Sequence, residues 1–122
     1  MASPAFLVGA GAVVGALLRY GTTQYVNTVF GSRTLPYGTL VVNVIGSFVL
    51  AAITFAGASD AVLYAVGTGV CGSYTTFSSF SVDTIRLWED GERFRSGWYT
   101  AVNLLGALLA IGLAGGLVDI VG

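Results

Sequence analysis

Four apolar stretches, each long enough to cross a bilayer, account for most of this chain of 122 residues. They cover residues 4–28, 36–56, 60–88 and 96–120, joined by short connections at 29–35, 57–59 and 89–95. A helix needs about 20 mostly apolar residues to cross the hydrocarbon layer. Within that layer every peptide group must find its partner inside the protein, which leaves only helices and closed barrels. Runs of this length fit helices. They predict an all-α membrane protein with a single four-helix transmembrane domain over residues 1–122. Charge agrees: 9% of residues are charged, against roughly 25% in a soluble domain. The first run lacks a basic leader and a clear small-residue cleavage site, so it reads as a mature transmembrane helix rather than a signal peptide. Pro4 and Pro36 stand where helices begin, and Asp60 reads as an N-cap.

The same residues weigh against several function classes. A net charge of −1 argues against a nucleic-acid partner. There is no histidine, one cysteine (Cys71) and no pair of carboxylates at a working spacing, so no catalytic constellation or side-chain metal cluster emerges. Cys71 reads as a small packing residue. Gly67, Gly69 and Gly72 spell G-x-G-x-x-G, but a dinucleotide site needs a preceding strand and a βαβ unit, and neither is present.

Arginine placement predicts topology. The side holding both termini and the 57–59 connection has no arginine, whereas Arg33, Arg93 and Arg95 lie in the opposite connections with Arg86 close by. Cytoplasmic loops are enriched in basic residues, so the arginine side is expected in the cytoplasm. Gly11 and Gly15 in the first helix, and Gly112 and Gly116 in the fourth, form G-x-x-x-G pairs of the kind that let membrane helices approach closely.

The third stretch carries the unusual chemistry. Its run GTGVCGSYTTFSSFSVD crowds Ser73, Thr75, Thr76, Ser78, Ser79 and Ser81 among Tyr74, Phe77 and Phe80. On a helix Phe77 and Phe80 share one face, and Ser78 and Ser81 a neighbouring one. The glycines before them weaken the helix, predicting a break near residues 72–76. Broken backbone at that depth is tolerated only when it is buried or lines a cavity, and the carbonyls it frees are good ligands for a hard cation. The second helix offers a stripe of Thr39, Asn43, Gly46 and Ser47, and the fourth offers Tyr99 and Asn103. These are neutral donors, and phenyl edges carry partial positive charge. The combination suits a small anion. Asp83 and Arg86 are placed to form a local ion pair. Tyr99 also fits an aromatic belt at the membrane edge, and Arg19 fits snorkelling toward water.

At these residues the chain resembles the Fluc/CrcB fluoride channels over essentially its whole length. The segments GAGAVVGALLRY, PYGTLVVNVIGSF and GVCGSYTTFSSFSVD are similar to that family's first-, second- and third-helix motifs. The resemblance implies a passive, fluoride-specific channel of the plasma membrane that exports fluoride and lowers its toxicity. It implies an antiparallel dimer in dual topology, with two pores lined by both subunits. It also implies a structural sodium ion held by the backbone carbonyls of Gly72 and Thr75. The implied pore residues are Asn43, Phe77, Phe80, Ser78, Ser79 and Ser81, with Tyr99 in the fourth helix and Arg19 at a vestibule. Ser79 stands where the family usually shows threonine, Tyr74 follows Ser73 where a glycine–aromatic or glycine–leucine pair is commoner, and Ala107 stands where a serine is expected. The implied partners are fluoride, lipid and a second subunit. That subunit is either an identical chain or a homologue of opposite orientation, and the arginine bias favours the homologue.

Two other classes fit less well. A small proton-coupled multidrug exporter calls for a membrane-embedded carboxylate, and only Asp83 lies near a span. A non-transporting assembly subunit would scatter its polar residues over helix contacts rather than gather them in one stretch.

Overall fold

A computed structural model describes residues 2–31 and 35–122. Arg33, counted above toward the basic side, lies outside them. The described residues are helical throughout, apart from short connections. α1 runs Pro4–Phe30 and α2 runs Tyr37–Phe55. The third span is assembled from pieces: α3 (Asp60–Val62), a π-helical segment (Leu63–Cys71), α4 (Gly72–Tyr74) and α5 (Phe77–Glu89). α6 covers Arg93–Val121. Among the described residues α1, α2 and α6 are each long and apolar enough to cross a membrane as single helices.

The helix ends have local causes. Ser3 caps α1 by accepting from the Phe6 N–H, with Pro4 in the first turn, where its missing N–H has no helical partner to lose. At α3 the cap is Ser59, whose hydroxyl accepts from the Val62 N–H at 3.4 Å, and Asp60 is the first helical residue instead. A hydroxyl one residue earlier reaches the third N–H of the turn, while Asp60 keeps its carboxylate at the positive helix end. Gly57 and Gly91 adopt φ of 73° and 83°, which reverses the chain within a few residues at little steric expense. α6 begins earlier than the apolar run suggests, so Arg93 and Arg95 belong to its first turns rather than to the connection. Both are held there: the Arg93 guanidinium lies 4.7 Å from the Trp88 ring centre, and Arg95 pairs with Glu92 at 3.7 Å.

α1 packs on the π-helical segment, and α2 packs on α6. Gly11 and Gly15 make the first contact possible. A Cβ on Gly11 would run into the backbone of Ala65, and one on Gly15 into Val70 and Ser73. The second glycine pair behaves differently. A Cβ on Gly112 or Gly116 would meet nothing within 4 Å, so those glycines sit against no other element among the described residues. Outward faces are strongly apolar, as lipid contact requires: Leu17, Leu109 and Ile120 are among many large side chains left exposed.

Candidate functional site

Within the third span, α4 ends at Tyr74, and Thr75 and Thr76 are extended before α5 starts at Phe77. Two backbone donors are diverted here. The Thr76 N–H, which would bond Gly72 in a continuous α-helix, instead donates to Asn43 Oδ1 at 2.8 Å. The Ser79 N–H, which would bond Thr75, donates to the Thr76 hydroxyl at 3.1 Å, capping α5. The carbonyls of Gly72 and Thr75 therefore lose their helical donors. The approach of α2 to this point depends on Gly46, where a Cβ would strike Thr75 Cγ2.

Asn43 is the hub. Its Nδ2 donates to the Thr76 carbonyl and to Asn103 Oδ1, both at 3.3 Å. Asn103, 5% exposed, donates in turn to the Tyr99 carbonyl at 3.0 Å. The Thr76 N–H requires an oxygen opposite it, and the Tyr99 carbonyl requires a nitrogen, so chemistry fixes both amide orientations. α2, the interrupted third span and α6 are thus tied by one directed chain of hydrogen bonds.

This hub borders a cleft of about 490 Å³ that Gly72, Thr75, Phe77 and Phe80 also line. Among the described residues no charged side chain lines it. Phe77 and Phe80 stack 5.9 Å apart and tilted by 46°, and Phe80 continues to Tyr99 at 5.7 Å. Phe77 is 79% exposed within the single chain. Ala107, where a hydroxyl is missing from the fourth helix, also faces the cleft.

Of the residues singled out in the sequence, the cleft gathers Asn43, Phe77, Phe80, Gly72 and Thr75. Tyr99 borders it through Phe80. Ser78 and Ser79 are exposed, and Ser78 Oγ lies 3.3 Å from the Thr76 hydroxyl. Ser81 lines a different depression, with Arg86 and Glu89. Arg19 is half-buried on α1, away from the cleft. Part of the hydroxyl run is committed elsewhere: Ser73 and Thr75 donate to their own helix carbonyls at Gly69 and Cys71.

Two expectations are corrected. Tyr99 is fully buried, not part of an interfacial belt, because its hydroxyl donates to Asp83 Oδ2 at 3.2 Å. Asp83 forms no ion pair with Arg86 among the described residues. The same Oδ2 accepts from the Thr39 hydroxyl at 3.0 Å, so two buried hydroxyls on α2 and α6 satisfy it while Arg86 stays exposed. The pairing of Asn43 with the Thr76 backbone also escaped the sequence. Its only signal was an amide on an apolar helix beside a run of weak helix formers.

Fold and site together define a small helical membrane protein in which neutral donors and aromatic edges meet where Thr75 and Thr76 run extended between two helices. The chain belongs to the CrcB family: the family model described as CrcB-like protein, Camphor Resistance (CrcB), matches residues 6–116. The chain is 50% identical over 117 residues to "Fluoride-specific ion channel FluC 2" of Haloarcula marismortui, covering 96% of this chain and 95% of that protein. It is 48% identical over 114 residues to "Fluoride-specific ion channel FluC 1" of Halobacterium salinarum, covering 93% and 92%. With "Fluoride-specific ion channel FluC 1" of Methanosarcina barkeri it shares 38% identity over 109 residues, covering 89% and 91%.

Proposed function

We propose that this chain is one subunit of a passive fluoride channel. The observation that carries the reading is the uncharged cleft, open on the single chain, where Asn43, Thr75, Phe77, Phe80 and Asn103 meet. A fluoride ion entering a membrane must exchange its water for other donors. Amide N–H groups and phenyl edges offer that exchange without a fixed positive charge that would hold the ion too tightly to leave. No nucleotide site is needed: HF crosses a bilayer unaided and ionises inside, so a selective exit for the anion is enough.

The working assembly is a dimer of oppositely oriented subunits. An exposed Phe77 beside the cleft suits a pore wall completed by a second chain, as do the open glycines at 112 and 116. The arginine bias favours a homologous companion of opposite orientation over self-pairing. A structural sodium ion fits the break in the third span. The carbonyls of Gly72 and Thr75 have lost their helical donors, and neutral oxygens of this kind suit a hard cation. Sodium there would offset carbonyl dipoles left unpaired inside the membrane.

The test is fluoride and chloride efflux from liposomes holding this chain, with and without the companion. Fluoride release far above that of empty vesicles, with chloride retained, is the expected result. Release no faster than from empty vesicles in both preparations would overturn the reading.

A further inference from the structure

Asn43 is held unevenly. Its oxygen is bound at 2.8 Å by the Thr76 N–H, whereas both bonds from its nitrogen are long, at 3.3 Å. One of those N–H groups reaches Asn103 Oδ1 at the wall of the cleft. Asn103 is kept in place by its own nitrogen on the Tyr99 carbonyl, which already has a helical donor in the Asn103 backbone N–H. We propose that Asn103 sets the anion affinity of the cleft: its side-chain oxygen occupies an Asn43 N–H when no anion is present, and an entering anion displaces it. The inference rests on the channel reading above.

The chemistry favours exchange. An anion is a stronger acceptor than a neutral amide oxygen, and the bond it replaces is long. The Asn43 oxygen and its other N–H stay on Thr76 throughout, so the hub does not come apart when the anion enters. The cleft then avoids leaving a buried N–H without a partner between ions, and each ion must compete with a built-in substitute. That competition weakens binding and favours release.

Current against fluoride concentration, recorded in planar bilayers for the assembled wild type, Asn103→Ala and Asn103→Asp, tests this. Asn103→Ala removes the competing oxygen and strands only the Asn43 N–H. The half-saturating fluoride concentration is expected to fall about three- to tenfold, the worth of one hydrogen bond. Asn103→Asp replaces a weak competitor with a fixed carboxylate and is expected to raise it by a similar factor. An unchanged or higher value in Asn103→Ala overturns the inference, whereas a purely supporting role for Asn103 would lower the amount of channel without moving that value. If Asn103→Ala fails to assemble on gel filtration, Asn103→Asp decides, and an unchanged value there overturns it. A conducting wild type with unmoved variants defeats this inference alone. A wild type passing no fluoride defeats the channel reading and this inference together.

Discussion

Asn43 grips the Thr76 peptide by both ends: its Oδ1 accepts from the Thr76 N–H at 2.8 Å and its Nδ2 donates to the Thr76 carbonyl at 3.3 Å. A side-chain amide thus does for the extended Thr76 what helical neighbours do elsewhere. Asn43→Asp keeps the shape but puts an oxygen where the donor stood, facing the Thr76 carbonyl and Asn103 Oδ1. Fluoride efflux from liposomes should drop about tenfold or more, as expected when buried acceptors face each other unpaired. Wild-type efflux from this variant would show that the grip is dispensable.

Phe80 stands between Phe77 and Tyr99, with ring centres 5.9 Å and 5.7 Å away. Phe80→Ile preserves much of the apolar bulk and removes the aromatic edge. Efflux should fall sharply while the gel-filtration profile stays that of the wild type. A variant that conducts normally would mean that bulk, not ring electrostatics, is what the position supplies.

The parts of this molecule that follow local rules were legible in the sequence. Apolar run length located the membrane-crossing helices, and helical periodicity put Phe77 and Phe80 side by side. Relations across the bundle were not legible. The Thr39 and Tyr99 hydroxyls meet on Asp83 only because α2, α5 and α6 converge, and residue spacing carries no trace of that. Arg86, three residues from Asp83, was the nearer partner by sequence. Similarly, the two glycine pairs have the same spacing, yet among the described residues Gly11 and Gly15 meet another element while Gly112 and Gly116 do not.

The Asp83 carboxylate yields a stability prediction. Tyr99→Phe removes one of its two hydroxyl donors and should lower unfolding stability in mild detergent by about 0.5–1.5 kcal/mol. Combined with Thr39→Val it should lose more than the sum of the single changes, because the half-buried carboxylate is then left bare. Strict additivity would show that the two hydroxyls act independently.

The glycine pairs give a contrast. Gly15→Leu must displace the backbone of Val70 and the side chain of Ser73, so a monodisperse peak on gel filtration should be lost. At Gly112 an added Cβ meets nothing within 4 Å among the described residues, so Gly112→Leu starts into open space. It should leave helix content by circular dichroism unchanged, and any shift to a smaller assembled species would place that face against another subunit.

Sodium can be tested without measuring transport. If the carbonyls of Gly72 and Thr75 hold the ion, exchanging sodium for a bulky organic cation should lower the melting temperature of the assembled protein, and returning sodium should restore it. A melting temperature indifferent to the exchange would remove sodium from the account.

Three residues separate α5 from α6, and four separate α2 from α3. With turns that tight, the helices on either side of each cannot choose their directions through the bilayer independently. The direction taken by α2 then constrains that of the pieces after it, and the direction of α5 constrains that of α6. An arginine introduced at Ala58 would therefore act as a vote on the posture of the entire polypeptide.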